Sequence, residues 1–159
     1  MQSQFDAYLR DELVPFIYDN CQSPGIWIST MGSSFGAYHA ANSLFKHPDV
    51  IKRCFAMSGV YDLKNFMDGM YDDNFYFNNP VDYLSNLNDD YYLPLLRKAD
   101  AILIMSGQGN YEAPERSRAL SDILNAKGIP HTLDLWGPDV DHDWPWWRKM
   151  LPNALGKLL

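Results

Sequence analysis

The chain has 159 residues, 47% hydrophobic and 21% charged, a balance that points to one packed domain over 1–159 and excludes a disordered or fibrous chain. A formal charge of −7 gives phosphate backbones and anionic lipid little to hold, so neither nucleic acid nor a membrane surface is an expected partner. Two cysteines without motif spacing, no apolar run near the ~20 residues that span a bilayer, and no leader-like pattern in MQSQFDAYLR set a reduced, cytoplasmic location as the expectation.

The first element is an amphipathic helix up to about Cys21. Phe5, Leu9, Leu13, Phe16 and Ile17 recur at helical spacing in spite of Pro15, and Ser23-Pro24-Gly25 breaks the run. Residues 26–31 are short, apolar and β-branched, as in a buried strand. Gly32-Ser33-Ser34-Phe35-Gly36 then turns into a helix over 37–45 that ends before Pro48. Further strands are expected at 53–58, 101–106 and 131–136, with helices at 114–127 and 144–158. Strands alternating with helices at this spacing form βαβ units, so the fold class is α/β with about four parallel strands flanked by helices. The segment 61–98, crowded with Asp, Asn and Tyr, is too long for a plain connection and reads as a cap or pocket wall.

Gly32 to Gly36 fit the pattern G-x-S-x-G, in which flanking glycines let a strained strand-to-helix turn lift Ser34 clear of the sheet. A serine hydroxyl needs a base to take its proton, and histidine suits that task near neutrality. Among the four histidines, His39 sits on the helix after the turn, His47 at that helix's end, and His131 at the wrong edge of the sheet. His142 follows the last strand, at the carboxyl edge where catalytic groups gather, and comes after the serine in the expected chain order. The acid that orients the histidine belongs on the loop after 101–106. There Glu112 is the best placed, and Glu115 falls in a first helical turn as a dipole-favoured surface charge. Asp139, Asp141 and Asp143 alternate through the histidine loop but lack the further ligands of a calcium loop, so no metal or cofactor is expected.

TMGSSFGAYHAA, SGVYDL, SGQGNYEAP and DVDHDWPWWRKMLPNAL together resemble the putative-esterase branch of the α/β-hydrolases, the esterase D and feruloyl esterase-like group, over nearly the whole sequence. The resemblance implies a serine esterase acting on a small-molecule ester, with Ser34, Glu112 and His142 as triad and the Phe35 backbone N–H as one oxyanion-hole donor. It also implies several strands before the nucleophile strand, a loop of which supplies the second donor, and this chain opens just before that strand. Loss of one such donor costs about 10²–10³ in rate. An unflanked nucleophile strand is also a template for a second chain, so a homo-oligomer through that edge is expected. The alternative is an impaired hydrolase remnant serving as an oligomeric binding or structural protein.

Overall fold

A strand of Ala, Ile, Leu and Met with no polar alternation needs cover on both faces, and the strand at Ala101–Ser106 has it, every residue being buried. The computed structural model describes residues 2–157. Its sheet holds β1 (Ile28–Ser33), β2 (Ile51–Met57), β3 (Ala101–Ser106) and β4 (Thr132–Leu135), all parallel and in the order β1-β2-β3-β4.

Alternation along the strands divides the core in two. Cys54, Ala56, Ile102 and Ile104 face α3 (Phe35–Lys46) and α7 (Pro114–Ala126), against Leu44, Leu120 and Leu124. Phe55, Met57, Leu103 and Met105 face α8 (Trp144–Gly156), against Trp147, Met150 and Ala154. The segment 61–98 forms a 3-10 turn (Lys64–Phe66) and three short helices, α4 (Asp73–Tyr76), α5 (Pro80–Asn86) and α6 (Tyr92–Leu96). It lies against the α3 and α7 layer, with Tyr38 Oη donating to Asn78 O at 2.7 Å and Tyr83 Oη donating to Asn42 Oδ1 at 2.8 Å.

Element bounds move by a residue or two, β2 starting at Ile51 instead of 53, and the two changes at the start of the chain have a physical cause. The opening helix is α1 (Gln2–Tyr8), a π turn (Leu9–Leu13) and α2 (Val14–Asn20). Pro15 has no N–H for the Asp11 carbonyl, and the preceding Val14 N–H reaches back five residues to Leu9 O. That wider turn brings Leu9 and Val14 into the core and leaves Phe16 62% exposed, although helical spacing alone put Phe16 on the buried face. The first strand starts at Ile28, not Ile26, and runs on through Gly32 and Ser33, because those two pair with Ala56 and Met57 of β2. Ile26 and Trp27 fall outside it and are exposed, and the strand is not the buried one expected, since no residue of β1 is fully buried and Met31 is 64% exposed.

Candidate active site

The ladder between β1 and β2 reaches Ser34 itself, whose N–H donates to Met57 O at 2.9 Å. The turn is this one residue, with φ 57° and ψ −122°, a region L-residues adopt only where the surroundings enforce it. Gly32 is required: a Cβ there would lie 2.2 Å from Gly36 O. Gly36 is not, since a Cβ there meets nothing within 4 Å and its φ is ordinary. Phe35 opens α3, so its N–H is one of the helix-start donors that no carbonyl of the helix satisfies, at the positive end of the helix dipole.

The loops after β3 and β4 are sewn together by two backbone bonds and one from a backbone N–H to a side chain. His142 N–H donates to Asn110 O at 3.0 Å, Gly109 N–H to Val140 O at 2.9 Å, and Asn110 N–H to Asp141 Oδ1 at 2.6 Å. Such close approach demands glycine, because a Cβ on Gly107 would lie 2.1 Å from Val140 O and one on Gly109 2.3 Å from Asp141 Oδ1. Asp143 caps α8 by accepting from Trp144 N–H at 2.7 Å. Two of the three alternating aspartates are thus occupied in holding the loop. Among the described residues no group of three or more side chains is arranged to hold a metal ion.

These loops and the β1 turn bring Ser34, His142 and Glu112 to one point at the carboxyl edge of the sheet. His142 Nε2 stands 2.9 Å from Ser34 Oγ across 108 residues of sequence. Its Nδ1 faces Glu112 Oε2 at 3.6 Å, just outside hydrogen-bond reach, and this buried atom has no closer partner among the described residues. The Glu112 side chain is almost wholly buried, while that of His142 is a quarter exposed. Glu115 begins the exposed first turn of α7 instead.

Three residues near the acid were not singled out by sequence reasoning. Ser58 Oγ donates to Glu112 Oε1 at 2.5 Å, Ser106 Oγ donates to Glu112 Oε2 at 3.2 Å, and Trp147 Nε1 donates to Ser58 Oγ at 3.0 Å. The Trp147 ring also meets His142 edge-on at 5.0 Å. The one available signal was a Ser-Gly pair at the carboxyl end of each central strand, Ser58-Gly59 just after β2 and Ser106-Gly107 where β3 ends.

The remaining histidines have other neighbours. His47 ends α3 and contacts Asp6 at 2.8 Å, His131 pairs with Ser121 at 2.7 Å, and His39 packs among the rings of Phe5, Phe35 and Tyr38. Cys21 and Cys54 are free thiols, exposed and buried respectively, and no described helix is long and apolar enough to cross a membrane. A cleft of about 830 Å³ lies at the far end of α3, beside Phe45 and Lys46, and none of Ser34, Glu112 and His142 lines it.

A family model described as putative esterase matches residues 1–158. Among solved structures the chain is similar to a ferulic acid esterase, at 20% identity and a TM-score of 0.75, covering 97% of this chain and 60% of that one. It is similar to an S-formylglutathione hydrolase from Agrobacterium tumefaciens, at 16% identity and a TM-score of 0.72, covering 96% and 55%. A fluorophosphonate-binding serine hydrolase from Staphylococcus aureus has 22% identity and a TM-score of 0.60, with 95% and 63% covered. These likenesses establish the shared α/β-hydrolase fold, and the chain spans less than two thirds of the length of each structure. No curated protein sequence matches it.

Proposed function

The chain belongs to the putative esterase family, and from that membership we propose that it is a serine hydrolase that cleaves carboxylic esters through an acyl-enzyme, with Ser34 as nucleophile, His142 as base and Glu112 as acid. The observation that carries the reading is the 2.9 Å approach of His142 Nε2 to Ser34 Oγ at a turn whose backbone is strained to present that hydroxyl.

In the first half-reaction His142 Nε2 takes the Ser34 proton as Oγ adds to the ester carbonyl. The oxyanion faces the Phe35 N–H at the start of α3. Glu112 compensates the charge on the imidazolium, and that charge draws Nδ1–H across the 3.6 Å gap into a charge-assisted hydrogen bond. The imidazolium then gives its proton to the departing alcohol. In the second half-reaction His142 takes a proton from water, which adds to the acyl-Ser34 carbonyl, and collapse releases the carboxylic acid and returns the proton to Ser34 Oγ.

The test is covalent labelling by a fluorophosphonate probe beside turnover of short p-nitrophenyl, feruloyl and acetyl-sugar esters. The wild-type chain is expected to label and to hydrolyse at least one ester class, and Ser34→Ala to do neither while keeping its fold. Labelling that survives in Ser34→Ala would remove Ser34 from the role. A folded wild-type chain inert in both assays would favour the non-catalytic alternative.

A further inference from the structure

We propose that Ser58 and Trp147 act as a positioning pair that sets the carboxylate of Glu112 for His142, a role that rests on the hydrolase reading above. The direction of each hydrogen bond follows from chemistry. An indole N–H can only donate and a carboxylate can only accept. Ser58 Oγ must therefore accept from Trp147 Nε1 at 3.0 Å, which leaves its single hydrogen for Glu112 Oε1 at 2.5 Å. The chain from Trp147 through Ser58 to Glu112 has one sense, and the serine rotor has one setting.

The two oxygens of Glu112 are consequently unequal. Oε1 is tied by Ser58. Oε2 receives only a share of the Ser106 hydroxyl, whose one hydrogen is divided between Gly107 O at 3.0 Å and Oε2 at 3.2 Å. The looser oxygen is the one that faces His142 Nδ1. Backbone geometry supports a dedicated role. Ser58 has φ 53°, strained for a non-glycine residue, and its N–H is anchored to Met105 O at 2.7 Å, which fixes the hydroxyl below the acid. Trp147 completes the arrangement, because the same ring that donates to Ser58 also packs edge-on against His142 at 5.0 Å, so one side chain touches both the relay and the base.

The test uses the full chain and steady-state kinetics on whichever ester it turns over, with fluorophosphonate labelling rate as a second measure of Ser34 reactivity. Ser58→Ala removes the relay and Trp147→Phe keeps a ring against His142 while removing the N–H. Both should lower kcat, by about 10–100-fold for Ser58→Ala and less for Trp147→Phe, with KM within about twofold, since the pair acts on the base rather than on substrate. The double variant should be no slower than Ser58→Ala alone, because Trp147 acts through Ser58. In a Glu112→Gln background Ser58→Ala should add less than about a twofold loss, since the carboxylate it serves is gone. Losses that multiply in the double variant, or that persist in full in Glu112→Gln, overturn the positioning role while leaving the hydrolase standing. A wild-type chain that neither turns over nor labels overturns the hydrolase reading and this role with it.

Discussion

At the scale of single residues, the G-x-S-x-G pattern contains one glycine that sterics require and one that they do not. Gly32→Ala would drive a Cβ into the Gly36 carbonyl at 2.2 Å, a backbone clash that no rotamer relieves. It should destabilise the protein by about 3 kcal/mol or more, or prevent soluble expression. Gly36→Ala enters open space within α3, where alanine is favoured over glycine by about 1 kcal/mol, so thermal melts should give an unchanged or higher Tm. A lower Tm for Gly36→Ala would contradict the geometry. The same resolution applies to the acid. Glu112→Gln should lower kcat strongly, by less than the ~10⁴ known for an acid-to-amide change in one well-studied triad, while Asp139→Asn stays within severalfold of wild type. The opposite ranking would move the acid to the histidine loop.

Among elements, the tie between α1 and α3 is electrostatic and therefore titratable. Asp6 meets Lys46 Nζ at 3.0 Å and His47 Nε2 at 2.8 Å, at the end of α3 where cations are favoured. Burial by itself would raise the Asp6 carboxyl, but the hydrogen bonds from His47 and Lys46 outweigh it and hold the group below its ordinary value of 3.8. A lowered carboxyl contributes stability above its unfolded pKa and loses it as pH falls through the folded one. Asp6→Asn should thus cost about 0.5–1 kcal/mol near neutral pH, as partly exposed pairs do, with the two proteins converging in acid. Urea melts at neutral and acid pH check this, and a gap that persists unchanged in acid would assign the loss to packing.

For the molecule as a whole, the deciding feature is the edge at β1. Among the described residues β1 has no partner strand on one side, and Met31 within it and Ile26 and Trp27 just before it are 64, 42 and 59% exposed. Nothing within β1 discourages pairing, since it carries no Lys, Glu or Pro. We expect this edge to join a second copy about a two-fold axis, which covers both edges at once. Sedimentation at micromolar concentration should give at least a dimer, and Met31→Lys should shift it toward the 18.3 kDa monomer. A monodisperse wild-type monomer would reject the contact.

What the sequence determined by itself was everything set by short-range sterics and periodicity. The alternation of strands with helices, the strained turn at Ser34, the α/β class, and the order of Ser34, Glu112 and His142 with the edge they share all follow from patterns a few residues long. The structure decided what depends on partners distant in the chain. A short apolar run does not mark where pairing begins, and only the ladder with β2 starts the first strand at Ile28 instead of Ile26. Helical spacing does not foresee a π turn, so it places on the buried face a Phe16 that the fold leaves exposed. Ser58, Ser106 and Trp147 look like an ordinary strand end, another strand end and a packing residue in sequence. Only folding brings Trp147 to Ser58 across 89 positions and Ser58 to Glu112 across 54, because hydrogen bonds are read by distance in space and the chain records only distance along itself.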